Sequence, residues 1–207
     1  MQREFLSNPS LSMSYTVLRG ADTVWGQQFA LKLASEKRHL ILLGKNMPVL
    51  TDLALRIRNV GKQQVVVYQI DTADSQSIIA VCEVLNAGFE IDCFINYAEN
   101  DEMIDKWADR SVFELDQLLK STQFASFIFT HQLLPNLLLH GQPEIINVFD
   151  QANVRSPTGR WLIESTSLFF ENLQIEYKES GLRVQNIPAK LLDPNGVFPV
   201  PKRTNFC

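Results

Sequence analysis

Apolar residues in this chain fall into short runs of four to six, and between the runs they recur at helical spacing. Tyr15-Thr16-Val17-Leu18 reads as a first strand, followed by a turn at Gly20 and a helix near 23–35. Leu40 to Leu43 is a second strand stopped by Gly44. Pro48 suits the first turn of a helix that runs to about Val60, with Gly61 as its stop. Val65 to Ile70 is too β-branched for a helix and is a third strand. A helix over 75–86 follows, capped by Asp74 or Ser75 and closed by Gly88 just past its end. Ile91 to Ile95 is a fourth strand, and the polar stretch 96–110 is loop with a helical turn. One long helix is predicted over 113–139, a fifth strand over 145–149, a helix over 161–179 stopped by Gly181, and a sixth strand over 182–187. Such alternation predicts an α/β, doubly wound parallel sheet of about six strands, Rossmann-like, covered on both faces. Its ligand crevice lies at the carboxyl ends of the strands.

Composition narrows the classes without choosing among them. The chain has 207 residues, 45% of them hydrophobic and 20% charged, which suits a single globular domain over 1–207. Residues 1–13 read as an N-terminal tail, and 190–207, with Pro194, Pro199 and Pro201, as an irregular C-terminal tail. A net charge of −4 argues against a nucleic-acid binder. No apolar run reaches the ~18 residues of a membrane span, and Met1 to Ser14 lacks the features of a signal peptide, so the expected compartment is the cytoplasm. Cys82, Cys93 and Cys207 form no Cys-x-x-Cys pair, and His39, His131 and His140 are scattered, so no metal site is expected.

The first strand–turn–helix reads Leu18-Arg19-Gly20-Ala21-Asp22-Thr23-Val24-Trp25-Gly26. It resembles the T-G-x-x-x-G-x-G turn of the short-chain dehydrogenase/reductase family. Other landmarks follow in the same order. Gly44-Lys45-Asn46 is similar to the family's G-R-N, Asp71 to its adenine-contacting Asp, and Asn96-Tyr97-Ala98-Glu99 to N-N-A-G. Thr130 to Pro135 resembles T-x-x-x-L-P, Ile145-Ile146-Asn147-Val148 resembles I-V-N-I, and Gly181-Leu182-Arg183-Val184 resembles G-I-R-V. The resemblance implies the dehydrogenase version of the doubly wound fold, shortened at its C-terminus. Only seventeen residues follow Lys190, too few for the family's substrate lid, last helix and seventh strand.

The same resemblance implies an NAD(P)-dependent oxidoreductase, and there the residues depart from it. In the family a tyrosine exchanges the proton, a lysine four residues later lowers its pKa and binds ribose, and a serine orients the substrate carbonyl. Those positions fall on Trp161, Ser165 and Asp150, and Thr122 stands where an asparagine is usual. An indole does not titrate, Ser165 carries no charge, and an ionised Asp150 is acceptor-only, so none can do its predecessor's work. No Tyr-x-x-x-Lys exists elsewhere in the chain.

The implied cofactor positions are Arg19, Gly20, Val24, Gly26, Lys45, Asp71 and Asn96. Lys45 falls where the family places a basic residue for the 2′-phosphate of NADP(H). Val24 replaces the middle glycine, where a β-branched side chain obstructs the pyrophosphate and resists positive φ, which weighs against NADP(H) binding. Two readings follow. One is an inactive member acting as a binding or assembly protein, a homodimer through helices 113–139 and 161–179 or the partner of an active relative. The other is an oxidoreductase acting on a small carbonyl or alcohol through a remodelled site, with Asp150 or a water replacing the tyrosine.

Overall fold

The computed structural model describes residues 13–97, 109–149 and 157–189. Six strands form one parallel sheet in the order β3-β2-β1-β4-β5-β6. They are β1 (Ser14–Arg19), β2 (His39–Gly44), β3 (Val65–Gln69), β4 (Glu90–Tyr97), β5 (Glu144–Phe149) and β6 (Arg183–Pro188). On one face lie α1 (Val24–Ser35) and α2 (Met47–Val60), packed through Phe29, Leu33, Leu50 and Leu53. The other face carries α3 (Ser75–Gly88), α5 (Ala125–Leu137) and α6 (Pro157–Glu176), packed through Ile78, Phe129, Leu133 and Phe170. The apolar runs are therefore buried on both sides, and strand order reverses between β1 and β4, where a doubly wound sheet opens its crevice.

Local chemistry sets the ends of the helices. Thr23 caps α1, its hydroxyl oxygen accepting from the Gly26 N–H at 2.9 Å. Asn46 caps α2, Pro sits in its first turn, and Gly61 closes it with extended backbone. Asp74, not Ser75, caps α3. Gly88 is the last residue of α3 rather than the residue beyond it; Phe89, in extended conformation, makes the exit.

Two helical boundaries differ from the pattern-based reading. The helix expected over 113–139 is broken: α4 (Val112–Leu119) passes through a π-helical segment, Lys120–Phe124, into α5. Along it the hydroxyls of Thr122, Ser126 and Thr130 each donate to the carbonyl one turn back, at 2.6, 2.6 and 2.7 Å. Such back-bonding bends helices, and apolar periodicity carries no trace of it. The helix expected over 161–179 begins at Pro157 and ends at Glu176; a short 3-10 turn, Lys178–Ser180, leads to Gly181 at φ 75°. The start was obscured because a proline opens a helix as readily as it ends one. Asp150 and the Ala98–Glu99 pair lie outside the described residues, as do 1–12 and 190–207.

Burial pushes the Cys82 thiol from 9.0 up to about 12, and the Cys93 thiol further in the same direction. Unfolding returns both to the ordinary value, so above pH 9.0 the unfolded chain holds fewer protons and stability falls with rising pH. The expected slope averages about 1 kcal/mol per pH unit for each thiol between pH 9 and 10 and approaches about 1.4 above that. Urea unfolding of the wild type and of Cys82→Ala between pH 9 and 10 measures the difference, and equal slopes would refute it.

Candidate functional site

The carboxyl ends of β1, β4, β5 and β6 carry one polar residue each on the face toward α5 and α6. Parallel register puts Arg19 beside Asn96, Asn96 beside Asn147, and Asn147 beside Asn186. Their side chains form a head-to-tail ladder. Arg19 Nη1 donates to Asn96 Oδ1 at 2.7 Å, and Asn96 Nδ2 donates to Asn147 Oδ1 at 2.8 Å. Asn147 Nδ2 donates to Asn186 Oδ1 at 3.0 Å, and Asn186 Nδ2 ends the ladder on the Ser167 carbonyl of α6 at 3.1 Å. Arg19 also donates to Ser126 Oγ at 3.1 Å and to the Ser121 carbonyl within the π-helical segment, and its guanidinium lies 5.8 Å from the centre of the Phe129 ring. It is 3% exposed, and burial lowers its pKa to about 10, leaving it charged at neutral pH.

Arg19, expected at the cofactor, thus faces inward and its donors go to the protein. Asn96, also buried, directs its amide along the ladder and to Ser126. Asn96 and Asn147 stand out in sequence as polar residues within apolar strands. The ladder did not, because its pairing depends on register between strands distant along the chain.

Above the ladder, Asn96, Thr122, Ser126, Asn147, Leu162 and Thr166 line a cavity of about 30 Å³. That is room for about one water. Trp161 and Ser165, one turn apart on α6, are the chain neighbours of the lining residues Leu162 and Thr166. Ser165 Oγ accepts from Gln123 Nε2 at 2.6 Å and donates to the Leu162 carbonyl at 3.3 Å. Trp161 is 52% exposed. Thr122 is buried, its hydroxyl committed to the Leu118 carbonyl. Asp150 lies outside the described residues.

Across the sheet, Gly20 adopts φ 78°, and a Cβ on it would lie 2.5 Å from the Tyr97 carbonyl oxygen. A Cβ on Gly26 would lie 1.9 Å from the Gly20 carbonyl oxygen, so both glycines are required for the turn. Val24 is the first residue of α1, helical and 67% exposed. The expectation that this position demands positive φ is therefore corrected; the turn takes its left-handed residue at Gly20 alone. Lys45 and Asp71 are exposed at the ends of β2 and β3, and Asp71 Oδ1 accepts from the Ala73 N–H at 2.9 Å. Asp22, which drew no notice in the sequence, accepts at Oδ2 from the Lys45 and Asn46 N–H groups, at 2.8 and 2.9 Å.

With this geometry established, comparison with known proteins becomes informative. The sequence profile described as short chain dehydrogenase matches residues 15–195. The chain belongs to the short-chain dehydrogenase family. No curated protein sequence matches it. Solved structures of the family superpose well. L-sorbose reductase from Gluconobacter frateurii, complexed with NADPH and L-sorbose, has a TM-score of 0.78 at 19% identity, over 86% of this chain and 69% of that one. A short-chain dehydrogenase from Sphingobium yanoikuyae in complex with NADPH has 0.74 at 20%, over 84% and 70%. One from Salmonella enterica serovar Typhi has 0.76 at 22%, over 86% and 76%.

The family's nicotinamide dinucleotide would cross the sheet where strand order reverses, its pyrophosphate at the N-terminus of α1. The tight turn at Gly20 fits that arrangement. The exposed isopropyl group of Val24 at the helix start and the Asp22 carboxylate beside Lys45 do not. At the first turn the described residues depart from the family's manner of holding NADP(H). Replacing Arg19 by Ala would leave a cavity and strand the Asn96 and Ser121 oxygens, lowering unfolding free energy by about 2–4 kcal/mol in urea titrations. A loss below about 0.5 kcal/mol, the scale of a surface substitution, would show that the ladder contributes little.

Proposed function

We propose that this chain is a catalytically inactive short-chain dehydrogenase that works in the cytoplasm as a binding and assembly module. The observation that carries the reading is the pair Trp161 and Ser165 on α6. Where the family has a titrating phenol and the lysine that tunes it, this chain has an indole and a hydroxyl bonded to Gln123. Neither holds or moves a proton at the place where a carbonyl oxygen would need one. The small cavity beside them supports the same conclusion, and Val24 weighs against NADP(H) as a working cofactor.

The assembly role rests on the outer surfaces of α4, α5 and α6. Trp161, Leu168 and Ile175 recur every seven residues along α6 and are exposed, as are Phe113 on α4 and Phe124 in the π-helical segment. The two helical stretches lie side by side, Phe127 and Phe169 touching with ring centres 4.5 Å apart. A second copy of this chain, or an active relative with the same helices, would cover that apolar surface.

Two measurements test the proposal. Purified protein with NADPH or NADH and a panel of carbonyl compounds is expected to show no protein-dependent oxidation of the nucleotide. Turnover that disappears in Asp150→Asn would instead favour the remodelled oxidoreductase. In sedimentation equilibrium the chain is expected to be a dimer, with Leu168→Glu weakening association by at least about tenfold. Because Leu168 is exposed within the protomer, its stability should change by no more than about 0.5 kcal/mol. A monomeric wild type would refute the self-association.

A further inference from the structure

We propose that Asp22 is a built-in substitute for a phosphate group, which closes this chain's nucleotide crevice to ligands carrying a 2′-phosphate. Asp22 acts at the junction of β2 and α2. The start of a helix presents unpaired N–H groups and the positive end of its dipole, an arrangement that attracts anions. Here the Val49 N–H is taken by the Asn46 side chain at 3.3 Å, and Pro48 has no N–H. The Lys45 and Asn46 N–H groups turn instead toward the first βα turn, and both end on Asp22 Oδ2.

The close approach is built into the strand end. A Cβ on Gly44 would lie 2.2 Å from Asp22 Oδ1 and 2.4 Å from its carboxyl carbon, so a side chain there would expel the carboxylate. The carboxylate thus bridges the first turn to a point 23 residues further on. In doubly wound dinucleotide folds, the residue about twenty positions beyond the glycine turn reads the ribose 2′-position, and a cation nearby accommodates a 2′-phosphate. Lys45 stands ready as that cation, exposed at the end of β2. Asp22 supplies the negative charge that a 2′-phosphate would bring, and it uses the same pair of backbone donors. An incoming phosphate meets a like charge and finds those N–H groups taken, whereas a 2′-hydroxyl meets neither obstacle. The inference is independent of whether the chain turns over a substrate, so it is tested by binding.

Adenosine 2′,5′-bisphosphate is the probe, because it reaches the ribose end without engaging the nicotinamide side. Calorimetric titrations would use the full-length chain, Asp22→Asn and Asp22→Ser, with 5′-AMP as the ligand lacking the 2′-phosphate. Asp22→Asn is nearly isosteric and keeps an acceptor for the loop. Circular dichroism verifies that each variant is folded. Both variants are expected to bind the bisphosphate at least about tenfold more tightly than the wild type, since removing a juxtaposed like charge is a large effect. Their affinity for 5′-AMP should stay within about threefold, because no charge is placed beside a 2′-hydroxyl. Failure of both variants to gain bisphosphate affinity would overturn the proposal. So would a wild type that prefers the bisphosphate to 5′-AMP, a result that needs no variant.

Discussion

A guanidinium buried at the centre of a parallel sheet is costly unless every donor finds a partner, and in this protein that requirement organises the carboxyl end of the molecule. Arg19 enters from β1, where the apolar run of the strand ends, and no described carboxylate neutralises it. Its partners are therefore neutral oxygens: the Asn96 amide, the Ser126 hydroxyl and the Ser121 carbonyl. Each bond has a structural consequence. The Asn96 amide is oriented by the charge, and the same orientation passes to Asn147 and Asn186, so β4, β5 and β6 are joined to β1 by side chains as well as by backbone. The bond to Ser121 ties the sheet to the π-helical segment, where the helix departs from its regular ladder. That segment in turn brings Thr122 and Gln123 against α6.

The crevice follows from the same packing. Among the described residues, the cavity between the ends of β4 and β5 and the helix α6 has room for about one water. The family's geometry survives in the described residues. Trp161 and Ser165 stand on successive turns of α6, and Gly20 and Gly26 make the first turn. On the proposed reading, the retained scaffold serves binding rather than proton transfer. Fold alone does not confer the reaction; the side chains at the strand ends do.

The elements were largely legible from the chain because their signals are local. β-branched runs and bounding glycines marked the strands, and Pro48, Asp74 and Gly61 marked helix ends through local chemistry that acts within a turn. The π-helical segment was not legible, since hydroxyls bonded one turn back leave the apolar period unchanged. Arg19 was misread for a related reason. A cation beside a glycine turn suggests an anion site, and only the direction of its side chain shows that its partners are internal.

Sequence by itself therefore determined the doubly wound sheet and the family, because residue identity and spacing are enough to decide both. Tertiary structure decided what the remaining polar residues do. Arg19 meets Asn96 across 77 positions, and Asp22 meets Lys45 across 23. Pairings of that kind depend on strand register and on how helices seat against the sheet. The energy of a buried charge is set by the partners it finds there, and a linear chain does not display them.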